Sequence, residues 1–297
     1  MNAPSLPDDV VLSVRGLGKH YPIKSKGVFT RQTIIFKACQ NISFDLKRGE
    51  TLGIVGESGS GKTTLGRALL RATQPTVGEA WFRCRDGRIV DLASVGPREL
   101  KPLRTELQMI FQDPFGSLNP RMTVQQIVEE PLLIHGIAKG AELEDRVVAM
   151  LKRVGIRPEY RARYPHAFSG GQRQRIGIAR ALVLQPSLIV ADEAVSALDV
   201  SVQAQVVNLM ADLQEEFGLT YLFIAHDLSV VRHICDRVGV MTQGQMVELA
   251  DTETLFTQPQ HPYTQRLLAA VPDPDPDHRQ DLSAGASSES ASLSSPA

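Results

Sequence analysis

The stretch Thr51-Leu52-Gly53-Ile54-Val55-Gly56-Glu57-Ser58-Gly59-Ser60-Gly61-Lys62-Thr63 decides how this chain is read. Its first five residues are an apolar run of the kind that forms a buried strand. Its last eight match the pattern G-x-x-x-x-G-K-[ST], and the segment Thr64–Leu70 that follows is compatible with a helix. Strand, glycine loop and helix in that order make a phosphate cradle. A triphosphate needs many donors in little space, and only glycines let backbone N–H groups close around it. The helix adds the positive end of its dipole. Lys62 can reach the β- and γ-phosphates, and Thr63 can hold Mg²⁺. Gly56, Glu57, Ser58, Gly59, Ser60, Gly61 and Thr64 complete the candidate nucleotide-binding loop.

The chain has 297 residues, 42% of them hydrophobic, which supports one large α/β core with room for a subdomain. Its net charge of −1 gives no global argument for nucleic acid. The three cysteines, Cys39, Cys84 and Cys235, are far apart and odd in number, with no C-x-x-C pair. That points to reduced thiols in a cytosolic compartment and to no disulfide or zinc framework. No apolar run approaches the length of a membrane span, and the N-terminus lacks the pattern of a signal peptide. If the protein serves a membrane, other chains must cross it.

Alternation predicts strands at 10–16 and 42–48, with 51–56 buried. Between the first two, Pro22–Lys37 carries Lys24, Lys26, Arg31 and Lys37 and no acid. It reads as a solvated hairpin or as a contact for an anionic surface. A hairpin is expected at 78–92, turning at Asp86-Gly87, then a strand at 107–111. Residues 123–135 and 142–154 read as helices of a helical subdomain spanning about 113–168. Strands at 188–192, 220–225 and 237–242 then alternate with helices near 171–184, 201–217 and 227–235. This order predicts an α/β fold with a mainly parallel sheet covered on both faces. Pro262 suits the first position of a helix over 263–271. Residues 273–297, rich in Asp-Pro, Ser and Ala, are expected to be disordered, and 1–9 form an N-terminal extension.

A glycine loop alone does not separate a kinase from a GTPase or a motor. Leu188-Ile189-Val190-Ala191-Asp192-Glu193 delivers two carboxylates at the C-terminal end of a buried strand, the edge where open α/β sheets bind ligands. Asp192 is a candidate to orient Mg²⁺, and Glu193 a candidate general base for an attacking water. Phe168-Ser169-Gly170-Gly171-Gln172-Arg173 reads as a helix start, with Ser169 as cap and Gln172 as its capping-box partner. A capped N-terminus beside two glycines is also a second phosphate-binding surface.

These three segments resemble the Walker A, signature and Walker B motifs of ABC ATPases, in the expected order over roughly residues 10–271. The resemblance implies a P-loop NTPase fold with a parallel core sheet, an antiparallel β subdomain and a helical subdomain, binding ATP and Mg²⁺. It continues at single positions. Gln112 matches the Q-loop glutamine, Asp199 in Ser196-Ala197-Leu198-Asp199 the D-loop, and His226 the switch histidine. Lys62, Gln112, Glu193 and His226 are thereby implied in catalysis, and Thr63, Gln112 and Asp192 in holding Mg²⁺. Tyr21 resembles the aromatic that stacks on adenine, with an ordinary edge-strand tyrosine as the alternative. In that family two such domains pair head to tail, so Ser169, Gly170, Gly171 and Gln172 are implied to complete a partner's site.

Phe111–Met122 is similar to the Q-loop region of di- and oligopeptide importers, and Gln258–Thr264 to the short C-terminal segment of that group, here taken as 258–272. The group, which includes nickel importers, implies two membrane permease subunits, a second ABC ATPase and a solute-binding protein as partners. It implies a place on the cytoplasmic face of the bacterial inner membrane and no nucleic-acid partner. With no cysteine after Cys235, no iron–sulfur cluster is expected. Another importer branch or a non-transport ABC ATPase is the alternative. A chromosome-organising ATPase needs a long coiled coil that the spacing from Lys62 to Ser169 does not allow. ABC translation factors carry two nucleotide domains, and the Asn-Lys-x-Asp guanine reader of GTPases is absent.

Overall fold

The computed structural model describes residues 4–24 and 33–270. Expectations for the middle of the basic stretch and for the tail 273–297 lie outside the described residues.

The chain opens with two long strands, β1 (Val10–Lys24) and β2 (Thr33–Lys47), 15 residues each, and then the short β3 (Thr51–Val55). Helix α1 (Lys62–Leu69) leaves the glycine loop, and β4 (Val77–Arg83) and β5 (Ile89–Asp91) form a hairpin. Next come α2 (Pro97–Leu103), β6 (Leu107–Ile110), α3 (Val124–His135) and α4 (Gly140–Arg153). After two 3₁₀ turns, α5 (Gly170–Leu182), β7 (Leu188–Asp192), α6 (Val200–Phe217) and β8 (Thr220–Ile224) follow. The chain closes with α7 (Leu228–Ile234), β9 (Arg237–Thr242), β10 (Gln245–Asp251), α8 (Thr252–Thr257) and α9 (Pro262–Ala269).

Two sheets result. One has the order β2-β1-β4-β5 and is antiparallel throughout. The other has the order β10-β9-β3-β8-β7-β6, with every neighbour pair parallel except β10 against β9. The parallel strands are apolar at nearly every position because both faces are covered. Their period of two divides the side chains between two cores. Leu52, Ile54, Leu188, Val190, Leu222 and Ile224 join a core under α1 and the antiparallel sheet. Val55, Ile189, Ala191, Tyr221 and Phe223 join the other, built largely from helices.

Close helix–sheet approach depends on small residues. A Cβ on Gly66 of α1 would lie 2.8 Å from Ile224 Cδ1 and 2.9 Å from Val190 Cγ1. Helices α3 and α5 both begin with reciprocal capping boxes, Thr123 with Gln126 and Ser169 with Gln172. Each box satisfies two backbone donors that would otherwise be orphaned.

Periodicity located the parallel strands and the main helices but not α2, α8 or β10. The first two are short, at seven and six residues, and α2 contains Pro102. Strand β10 is half-buried along its length and reaches its place by pairing with β9. Strands β1 and β2 run past the expected limits. Their register carries Tyr21 opposite Phe36 and Ile23 opposite Ile34, so the arms of the basic stretch are strand.

Leu222 is fully buried at the centre of the parallel sheet. Leu222→Ala is expected to cost about 2–5 kcal/mol. Urea unfolding should show a lower midpoint with an unchanged slope.

Candidate nucleotide site

All the chemistry-bearing loops leave the same sheet edge. The glycine loop follows β3, Gln112 follows β6, Asp192 ends β7 with Glu193 next to it, and His226 follows β8. In the sheet these strands lie in the order β3-β8-β7-β6. Carboxylates, imidazole and amide therefore converge beside the loop although 170 positions separate Gly56 from His226.

The loop is packed too tightly for side chains at two points. A Cβ on Gly56, at φ 149°, would stand 2.0 Å from Met241 O of β9. One on Gly61, at φ 101°, would stand 2.2 Å from Ala38 O of β2. Both sheets thus press on the loop through backbone oxygens, which cannot yield as a side chain can. Ser60 O also accepts the Gly244 N–H at 3.0 Å, tying the loop to the β9–β10 turn.

Lys62 is buried, and its Nζ donates to Gly56 O at 2.6 Å and Glu57 O at 2.9 Å. Burial draws its pKa down, opposed by the charges of Glu193, Asp192 and Glu57. Thr63 Oγ1 donates to Asp192 Oδ1 at 2.8 Å. Burial raises the pKa of Asp192, while the Thr63 hydroxyl and Arg67 pull the other way. Hydroxyl and carboxylate together are the hard oxygen donors that Mg²⁺ prefers when phosphates and water fill its remaining positions. Residues and chemistry fit that ion.

Glu193 sits at φ 48°, in the left-handed region that a side chain enters at a cost. Its N–H donates to Ile224 O at 2.8 Å, and its carbonyl accepts from Ser196 Oγ at 3.0 Å. Those bonds hold the turn. Its carboxylate is thereby brought to Gln112 and His226: Gln112 Nε2 donates to Glu193 Oε2 at 2.8 Å, and His226 Nδ1 lies 3.2 Å from the same oxygen. Three residues picked from separate strands meet at one atom.

A cavity of about 370 Å³ lies over this arrangement. Its wall includes Ser58, Gly59, Gly61, Lys62, Thr63 and Thr64 of the loop, with Gln112 and Glu193 opposite. Phe36 and Ala38 of β2 close one side. Tyr21 is not in that wall. It faces Phe36 across the β1–β2 pair, and the Lys19 ammonium lies 4.9 Å from the centre of its ring. Phe36 escaped sequence reading because it belongs to the basic stretch and matches no motif; only strand register brings it to the cavity.

Ser169, Gly170, Gly171 and Gln172 lie outside the cavity of their own chain. Ser169 Oγ accepts the Gln172 N–H at 3.4 Å, and Gln172 Oε1 accepts the Ser169 N–H at 3.1 Å. Ser169 and Gln172 are exposed at the start of α5, while a Cβ on Gly171 would meet Val202 at 2.3 Å. Asp199 is exposed at the N-cap of α6. The segment after Gln112 is strapped to α5. Arg180 donates to Ser117 O at 2.6 Å, Gln174 to Phe111 O at 3.4 Å, and the Arg173 guanidinium lies 4.2 Å from the centre of the Phe115 ring. Among the described residues no helix is long and apolar enough to cross a membrane.

Comparison with known proteins agrees with this geometry. Residues 39–196 match the ABC transporter family, and residues 247–294 match the C-terminal region of oligopeptide/dipeptide transporters. The chain is 55% identical over 265 residues to the oligopeptide transport ATP-binding protein AppF of Bacillus subtilis, covering 89% of this chain and 79% of that protein. It is 56% identical over 266 residues to the glutathione import ATP-binding protein GsiA of Salmonella choleraesuis, covering 90% of this chain and 42% of that one. Among solved structures, cbiO1 of Clostridium perfringens, part of the ABC transporter complex cbiONQ, superposes with a TM-score of 0.70 at 28% identity, covering 84% of this chain and 92% of that one. A dimeric ATP-binding cassette in a post-hydrolysis state with ADP and Pi gives a TM-score of 0.69 at 28% identity, covering 81% and 98%. The chain belongs to the ATP-hydrolysing subunits of ABC transporters, in the branch that carries the oligopeptide/dipeptide C-terminal region.

Proposed function

We propose that this subunit hydrolyses ATP with Mg²⁺ in the cavity beside Lys62, and so powers import of peptides or a related small solute through a separate permease. The single observation that carries the residue assignment is the meeting of Gln112 and His226 on the Glu193 carboxylate at the rim of the phosphate loop. The peptide reading is supported by the C-terminal region and by the names of the relatives.

Each residue then has a physical task. Lys62 exchanges two neutral carbonyls, Gly56 O and Glu57 O, for phosphate oxygens, and charge-assisted bonds are the stronger. Backbone N–H groups from Gly59 to Thr64 and the start of α1 face the remaining phosphate charge. Thr63 and Asp192, with Gln112, would hold Mg²⁺, which when bound would neutralise charge on the phosphates. Glu193 orients the attacking water and draws on its proton. His226 faces the developing charge beside it. Phe36 supplies an aromatic face for the base, with Tyr21 beside it across the β1–β2 pair. Ser169, Gly170, Gly171 and Gln172, with Asp199, serve the site of a second ATPase subunit, whether a copy of this chain or a relative. The exposure of Ser169, Gln172 and Asp199, and the exclusion of all five from their own cavity, support that reading.

The organisation that follows is a nucleotide domain over 10–257, with helical residues 113–168 inserted, after an N-terminal extension 1–9. An importer segment 258–272 and a tail 273–297 come last. A second cavity of about 510 Å³, lined by Arg67, Gln108, Phe111, Glu130 and Arg180 among others, suits an element of a membrane subunit. Movement of Gln112 with nucleotide would reach that contact through the strapped 111–117 segment. Two permease subunits and a solute-binding protein complete the assembly, at the cytoplasmic face of the bacterial inner membrane.

Glu193→Gln is expected to retain ATP binding, to lower turnover by about a hundredfold or more, and to elute as a dimer with ATP and Mg²⁺ on a sizing column. Normal steady-state turnover would refute the base assignment. Deleting residues 115–122 is expected to abolish solute uptake by reconstituted vesicles while basal hydrolysis persists. Undiminished uptake would remove the coupling role.

A further inference from the structure

The C-terminal segment returns to the phosphate loop. Tyr263, in the first turn of α9, is 9% exposed, and its hydroxyl accepts the backbone N–H of Glu57 at 3.1 Å. That N–H belongs to the same peptide unit as the Gly56 carbonyl, which accepts Lys62 Nζ at 2.6 Å. In a trans peptide the C=O and N–H lie in one plane and point in opposite directions. Tyr263 therefore fixes from behind the plane of the peptide that faces Lys62 in front. Gly56 has no side chain and sits at φ 149°, so the bond to the Glu57 N–H adds to the backbone packing that holds this unit.

Tyr263 is itself held by a polar chain that starts on β10. Glu248 accepts the N–H of Gln260 at 2.8 Å and of His261 at 3.0 Å. Burial pushes the Glu248 carboxyl up, but the N–H groups of Gln260 and His261 carry it below its ordinary value. His261 Nδ1 accepts the Tyr263 N–H at 3.1 Å, and Pro262 fills the first helical position, where a missing N–H costs nothing. The ring of Tyr263 packs into the helical core. Such a chain of bonds, anchored on a sheet strand and ending on the loop, has the form of a strut.

We propose that the His261-Pro262-Tyr263 turn is this strut, with Tyr263 a positioning residue that pre-sets the phosphate loop for nucleotide. The proposal rests on the reading of Gly56–Thr64 as the ATP-binding loop and gives the C-terminal segment a task in that site. A loop held in its binding shape loses less freedom when ligand arrives. Removal of one neutral hydrogen bond therefore appears in nucleotide affinity ahead of the chemical step.

The test is Tyr263→Phe, which keeps the ring in the core and removes only the hydroxyl. The expected result is a KM for ATP raised about three- to tenfold, with kcat little changed and the thermal midpoint close to that of the native chain. Amide exchange in a peptide covering residues 54–60 is expected to quicken in the nucleotide-free protein. Lys62→Ala is run beside it. If Lys62→Ala binds and hydrolyses ATP like the native chain, the reading of the loop itself falls. If Lys62→Ala is inactive while Tyr263→Phe has a native KM, the strut alone is overturned, whatever the exchange rates. A Tyr263→Phe variant that lost kcat and thermal midpoint together, with KM unmoved, would equally overturn it in favour of a purely structural tyrosine.

Discussion

Backbone packed against backbone at the phosphate loop is the constraint on which the site depends. Met241 O and Ala38 O stand where side chains on Gly56 and Gly61 would have to be. One oxygen comes from each of the two sheets, so the loop is a point where both meet. Its shape is therefore not a local property of eight residues. The parallel sheet, the antiparallel sheet and the β9–β10 turn, through the Gly244 N–H on Ser60 O, all contribute to it. In the present conformation the cradle is closed on Lys62, whose ammonium uses the carbonyls of Gly56 and Glu57. In the proposed function a triphosphate would replace these internal acceptors with better ones, so the buried charge would never go without a partner.

The second determinant is the direction of the parallel strands. Parallel pairing puts all C-terminal ends on one edge, and residues just past β6, β7 and β8 become neighbours without being close in sequence. Glu193 shows what this costs. Its left-handed backbone is held by bonds to Ile224 O and Ser196, and the result is a carboxylate aimed at both Gln112 and His226. The strain sits where the geometry is used. The start of α5 works in the opposite sense. Its capping box satisfies Ser169 and Gln172 locally, so the helix end is stable while it faces away from its own cavity. That independence suits a surface that serves another subunit.

Much of this was legible in order along the chain. The apolar run before Gly56, the strand ending in Asp192-Glu193 and the Ser169–Gln172 capping box are local signals, and local propensity and tertiary structure agree at each. Elements without a period of their own were not legible. Strand β10 forms because β9 offers an edge, and α2 and α8 are too short for a pattern to emerge. Phe36 lines the cavity only because β1 and β2 continue past their expected ends with Tyr21 and Phe36 in register. Pairing register is a relation between two segments, and neither segment carries it alone.

The sequence by itself determined the type of chemistry, the order of the motifs and the residues that bear charge, because glycine freedom, carboxylate basicity and strand periodicity are properties of residues and short windows. The tertiary structure alone decided which of those residues touch. It put Gln112 and His226 on one Glu193 oxygen, joined Thr63 to Asp192, and brought Tyr263 back across 206 positions to the N–H of Glu57. Those contacts are set by strand order and by the packing of two sheets on one loop. They arise only when distant segments share the same few ångströms.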